Sequence, residues 1–153
     1  MAIQENSETV VIIDDDDLIR DSWEGLPKMP IREKTNLVAI VDDDSSIRTA
    51  VQDLLEAVSL PVQGFASAEE FLRSGNQLVT ACLIVDIRMP GMSGLELQEK
   101  LNAEGCRIPI IFITAHGDEK MRAQALRAGA VEFLTKPFED EVLIERVRTA
   151  LES

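Results

Sequence analysis

The sequence predicts an α/β protein: a flavodoxin-like, doubly wound sheet of five parallel strands in the order 2-1-3-4-5, with five helices. Three observations predict it. From residue 36 onward, short apolar runs and helical patterns alternate five times with little slack between them. The runs are almost wholly apolar, as expected of strands buried on both faces. Strand-then-helix repetition gives parallel neighbours with helices on both sides, and 2-1-3-4-5 is the leading order for five such units. In sheets of this kind ligands bind outside the carboxyl ends of the strands. The fold therefore says where to look for chemistry before any motif is consulted.

The strands are expected at residues 37–41, 62–65, 81–85, 108–113 and 131–134, and the helices at 45–58, 68–74, 94–104, 119–128 and 140–151. Ser45, Ser67, Ser93, Asp118 and the pair Glu139–Asp140 mark helix starts, because a short polar side chain can accept from the free amides of the first turn. Gly105 and Gly129 suit helix ends. Residues 36–153 thus form the predicted domain. Residues 1–35 differ. Gly25, Pro27 and Pro30 interrupt any long element, and nine acidic residues face four basic ones. We expect an acidic, mobile leader there.

Composition narrows the function. A 153-residue chain fits one domain plus a modest extension, and its 45% apolar content is ordinary for a globular protein. Mean hydropathy is +0.01. No apolar run approaches a membrane span, and no secretory leader is evident. Cys82 and Cys106 sit in unlike contexts without metal-type spacing, pointing to one core thiol and one loop thiol in a reducing cytoplasm. A net charge of −13 argues against direct nucleic-acid binding, which needs clustered Lys and Arg.

At the carboxyl edge, strand 1 delivers Asp42 and Asp43, strand 3 Asp86, strand 4 Thr114, and strand 5 is followed by Lys136-Pro137. Two carboxylates about 4 Å apart repel by about 4 kcal/mol at an effective dielectric near 20. Such a cluster needs a counter-charge, or one member must stay protonated. A hard divalent cation with oxygen ligands meets the need, and Mg²⁺ suits a site with few carboxylates and several waters. Mg²⁺, an exposed carboxylate, a hydroxyl and a lysine together suit phosphoryl transfer to the carboxylate. Simpler accounts exist for each part. Asp44 or Ser45 caps the first helix, Thr114 can be a strand end, and Lys136 a solvated charge. Four strand ends supplying complementary groups favour a site.

The stretches LVAIVDDD (37–44), LIVDIRMPGMSG (83–94), IPIIFITAHGD (108–118) and GAVEFLTKPF (129–138) resemble the response-regulator receiver domain of two-component signalling. The last three are most similar to its FixJ-type branch. The resemblance covers residues 37–151 and implies roles. Asp86 would be the phosphoacceptor. Asp43, Asp86 and the Arg88 backbone carbonyl would ligate Mg²⁺, with Asp42 acting through water. Thr114 would hydrogen-bond the phosphoryl group, Lys136 would pair with it, and Pro137 would follow a cis peptide. Thr114 and Phe133 would carry the switch to the surface of helix 4, strand 5 and helix 5, although a plain core role for Phe133 is compatible. Phe lacks the hydroxyl of the Tyr often found there. Arg88 and His116 flank the site and are candidates for tuning the acyl phosphate's lifetime.

The aspartate block has an echo. Sliding Val10–Arg20 by 28 residues onto Val38–Arg48 gives seven identities in eleven positions. Only the second copy is followed by an acceptor strand, a threonine strand and a lysine, so it is the working one. The first reads as a vestige; the alternative is pairing with a sheet edge. The expected function is a phosphoacceptor signalling module served by a sensor histidine kinase, with phosphorylation-dependent homodimerisation as one output. It would not be classed as an enzyme. The alternatives are a phosphate sink or adaptor, and an aspartyl-phosphate phosphatase. The phosphatase reading is disfavoured because Arg88 stands where such enzymes place a second acid.

Overall fold

The structure, a computed structural model, describes residues 35–115 and 117–152. Five strands, β1 (Val38–Val41), β2 (Val62–Phe65), β3 (Cys82–Asp86), β4 (Ile110–Thr114) and β5 (Glu132–Thr135), form one sheet. Its order is β2-β1-β3-β4-β5, and every pairing is parallel. The five helices are α1 (Ser45–Ala57), α2 (Ala68–Ser74), α3 (Gly94–Ala103), α4 (Glu119–Arg127) and α5 (Asp140–Leu151). The expected fold class and strand order are both present. The leader at residues 1–34, with the first aspartate block and Trp23, lies outside the described residues.

Strand alternation divides the interior into two cores. Ala39, Val41, Leu83, Val85, Phe112 and Phe133 point to one face and pack with Phe71, Leu97, Leu101 and Ala125 from α2, α3 and α4. Val38, Ile40, Cys82, Ile84, Ile111 and Ile113 point to the other and pack with Val51, Leu55, Leu143 and Val147 from α1 and α5. The three central strands are buried along their whole length. This two-sided burial explains why their sequences run apolar without alternation. The edge strands β2 and β5 keep partly exposed positions.

Helix starts follow local chemistry. Asp44 rather than Ser45 caps α1, accepting from the Ser46 amide at 2.9 Å. Ser67 and Asp118 cap α2 and α4. Ser93 and Glu96 close a reciprocal capping box on α3. Glu139 precedes α5 without a side-chain cap. Gly105 and Gly129 follow α3 and α4 with φ of 74° and 108°. The α1 terminus departs from that pattern, because Ser59 takes the left-handed conformation (φ 65°) without a glycine. Other details differ from expectation, and β3 and β5 each lie one residue later than expected, ending at Asp86 and Thr135. β4 starts at Ile110 rather than 108, since Pro109 has no N–H for the ladder and only its carbonyl serves, accepting from Leu83 at 2.9 Å. A single 3-10 turn, Asn76–Leu78, leads into β3.

Neither cysteine is in a disulfide; Cys82 is buried and Cys106 partly exposed. Burial pushes the Cys82 thiol up to about 12. Native protein in a maleimide at neutral pH should therefore react at Cys106 first, with Cys82 modified only after denaturation. Equal rates at both positions, read by peptide mass, would contradict the packing described.

Candidate functional site

The carboxyl ends of β1, β3 and β5 deliver their polar groups to one point. Backbone register does the placing. The Asp42 amide continues the β1–β2 ladder by donating to Phe65 at 3.1 Å, and the Lys136 amide continues the β4–β5 ladder by donating to Thr114 at 2.8 Å. Asp42 is fully buried and Asp86 only 7% exposed. The Lys136 ammonium donates to Asp42 Oδ2 at 3.0 Å and to Asp86 Oδ2 at 3.3 Å, bridging the two. Their other oxygens also have donors: Asp42 Oδ1 takes the Asp44 amide at 2.9 Å, and Asp86 Oδ1 the Arg88 amide at 3.3 Å. Arg48 holds the Asp42 carbonyl at 2.7 Å. Asp43 is exposed beside them.

Charge at this point is unbalanced. Burial, then the charge of Asp42, pushes the Asp86 carboxyl above its ordinary range, against the pull of Lys136 and the Arg88 amide. Burial alone would lower Lys136, but its hydrogen bonds and ion pairs with Asp42 and Asp86 outweigh that and raise it. Lys136 is therefore a cation throughout the neutral range. Carboxylate oxygens of Asp42, Asp43 and Asp86 lie within 4.8 Å of one another. Three ionised acids against one ammonium leave a formal −2, which a divalent cation would neutralise. The donors are all oxygen, matching a hard ion such as Mg²⁺.

Thr114, the last residue of β4, is buried. By strand alternation it points to the same face of the sheet as Phe133, the face covered by α4. Phe133 is 5% exposed. The Lys136–Pro137 peptide is cis. Arg88 is exposed, with its amide turned to Asp86; His116 lies outside the described residues.

Two glycines of the site were not anticipated. A Cβ on Gly94 would stand 2.5 Å from the Asp86 carbonyl oxygen and 3.0 Å from the Ile87 Cα. Its amide donates to the Ile87 carbonyl at 2.9 Å, so α3 begins directly against the end of β3. The available signal was a glycine at the first position of a well-capped helix, where its low propensity needs a packing reason. Gly117 is the second: a Cβ there would lie 2.7 Å from the Phe133 ring and 2.9 Å from the Thr114 methyl. Because the neighbours of Gly94 are backbone atoms that cannot step aside, Gly94→Ala should cost about 2 kcal/mol. Urea unfolding checks this, with a lower midpoint and unchanged slope expected.

With this geometry in view, comparison with known proteins is decisive. A family model described as the response regulator receiver domain matches residues 38–148. The chain belongs to that family. Its receiver domain is 50% identical over 102 residues to response regulator protein TmoT of Ectopseudomonas mendocina, covering 67% of this chain and 46% of that protein. It is 46% identical over 101 residues to transcriptional regulatory protein FixJ of Rhizobium meliloti, covering 63% and 50%. The chain thus spans about half the length of the curated relatives it matches. Among solved structures, the receiver superposes on the crystal structure of FixJ-N with a TM-score of 0.71 at 41% identity, covering 78% of this chain and 96% of that one. It also superposes on the BeF3-activated DrrB receiver domain with a TM-score of 0.70 at 28% identity, covering 78% and 99%. No helix among the described residues is long and apolar enough to cross a membrane.

Proposed function

We infer that this receiver accepts a phosphoryl group on Asp86 from a sensor histidine kinase, with Mg²⁺ as cofactor. The observation that carries the reading is the Lys136 ammonium bridging Asp42 and Asp86 inside a three-carboxylate cluster. One Asp86 oxygen attacks phosphorus as the phosphoryl's bond to its donor breaks, leaving an acyl phosphate. Lys136, raised and therefore charged, would pair with the incoming phosphoryl oxygens, and the Thr114 hydroxyl would donate to one of them. Asp43, Asp86 and the Arg88 carbonyl would hold Mg²⁺ directly and Asp42 through a water; when bound, the ion supplies neutralising charge. The chain's self-phosphorylation is a single-turnover modification, so it is a signalling module rather than an enzyme. An effect of BeF3 on the DrrB neighbour fits this chemistry, since BeF3⁻ has the shape and charge of a phosphoryl group.

Intact mass tests the reading. Incubation with Mg²⁺ and acetyl phosphate should add one phosphoryl group, and EDTA should prevent it. No addition to the full chain under any Mg²⁺ concentration would overturn it.

Output is assigned to Thr114 and Phe133, which share the α4 face with Gly117 packed against both. A phosphoryl group that draws the Thr114 hydroxyl toward Asp86 changes what the ring packs against, favouring one of two packings. Phosphorylation-dependent homodimerisation is the proposed readout, and a phosphate sink without output remains the alternative. Phe133→Ala should be phosphorylated at the wild-type rate, while the difference in self-association between the two forms shrinks. Sedimentation velocity checks this; an undiminished difference would count against the switch. Arg88 and His116 are proposed to set the acyl phosphate's lifetime by limiting water's approach.

A further inference from the structure

The loop that carries the acceptor's neighbours, residues 87–93, is fastened from outside. Ile87 and Met89 are buried in the core, while Arg88 and Pro90 are exposed. At its far end the Met92 amide donates to Glu69 Oε2 at 2.9 Å, across 23 residues of sequence. Glu69 belongs to the first turn of α2, which follows β2. Gly91, in the left-handed conformation (φ 78°), leaves room for that carboxylate; a Cβ there would lie 2.7 Å from Glu69 Oε2. The Met92 amide also holds the Glu69 carboxyl below its ordinary range, so it is ionised at neutral pH.

The position of this contact gives it a purpose. β2 pairs with β1, which delivers Asp42 and Asp43. Glu69 therefore ties the β1–β2 side of the sheet edge to the loop that delivers Arg88. The loop's near end is already held, by the Arg88 amide on Asp86 and by the Gly94 amide on the Ile87 carbonyl. With Met92 released, the stretch from Pro90 to Ser93 loses a fixed point just downstream of the Arg88 carbonyl.

We propose that Glu69 is a positioning residue for the cation site, clasping the loop through the Met92 amide so that the Arg88 carbonyl and the Asp43 and Asp86 carboxylates face one Mg²⁺. This rests on the phosphoryl-transfer reading above. Partners that hold ligands in place are typically worth ten- to a hundredfold in metal affinity. The clasp is a hydrogen bond and not a charge effect, so an amide that can still accept should replace it.

Isothermal titration calorimetry of the full chain with MgCl2 tests this, comparing wild type, Glu69→Ala and Glu69→Gln. We expect the Mg²⁺ dissociation constant to rise about tenfold in Glu69→Ala and to stay within about twofold in Glu69→Gln. Melting in EDTA, run in parallel, reports any general loss of stability separately. A wild type that binds Mg²⁺ with Glu69→Ala binding equally tightly overturns the clasp alone. Equal weakening in both variants overturns it too, since charge would then be the cause. A wild type that binds no Mg²⁺ overturns the metal reading and the clasp's purpose with it.

Discussion

Asp86→Asn should take up no phosphoryl group and, without metal, should melt at a higher temperature than the wild type. The first half follows from chemistry: an amide oxygen is no nucleophile toward phosphorus. The second follows from linkage. Burial and the charge of Asp42 raise Asp86 above its ordinary value in the folded protein. The fold therefore favours the protonated acid, a contribution present below the pKa of free aspartate and lost as pH rises through the raised value. At neutral pH the ionised side chain is a net cost. Asparagine keeps the size and one of the two acceptor oxygens, so it can accept from Lys136 or from the Arg88 amide but not both, and it removes the charge. The gain should be on the order of a few degrees. It should vanish in acid, where the wild-type carboxyl is protonated as well. Added Mg²⁺ should narrow the gap at neutral pH by stabilising only the wild type. Differential scanning calorimetry in EDTA at two pH values is the check. A variant that melts lower at neutral pH would show that the acceptor is not held against its own charge.

Lys136→Met should have the opposite effect on stability and a comparable effect on chemistry. Methionine retains the aliphatic stem but deletes the ammonium that bridges Asp42 and Asp86. Two buried carboxylates then face each other without their counter-charge. Breaking a buried pair from one side costs about 3 kcal/mol, and the metal-free variant should melt roughly 10 °C lower. In the wild type, the raised Lys136 contributes stability that is complete below the pKa of free lysine and is lost as pH rises through the folded value. The variant's deficit should accordingly be flat near neutrality and shrink as the carboxylates protonate in acid. Without the ammonium, phosphorylation by acetyl phosphate should slow by about a hundredfold or more, as when one preorganised charge donor is removed. Wild-type stability in EDTA would mean that Lys136 is solvated rather than paired.

Much of this architecture was legible in the sequence because two-sided burial leaves a plain mark. IVD at 84–86 and IIFIT at 110–114 admit few readings besides central strands, and the rule on carboxyl ends then brings Asp42, Asp43, Asp86 and Thr114 to one edge. Lys136 came with them because its backbone continues the β5 ladder. What sequence could not supply were contacts made by shape. Gly94 is needed because a Cβ there would stand 2.5 Å from the Asp86 carbonyl oxygen, and Gly117 because Phe133 and Thr114 fill its space. Neither distance has a periodicity. The clasp of Glu69 on Met92 joins residues whose separation is set by the β1–β2–α2 path, and Glu69 alone reads as an ordinary first-turn acid. Ser59 ended α1 without the glycine that usually announces such a terminus.

The central claim is that Asp86 itself receives the phosphoryl group, and its most direct test is to trap the acyl phosphate chemically. Protein incubated with acetyl phosphate and Mg²⁺ would be reduced with borohydride, which converts an aspartyl phosphate to homoserine, and then digested and sequenced by mass spectrometry. Homoserine is expected at position 86 and at no other aspartate, and at none in samples treated with EDTA. Homoserine at Asp42 or Asp43 with Asp86 intact would contradict it.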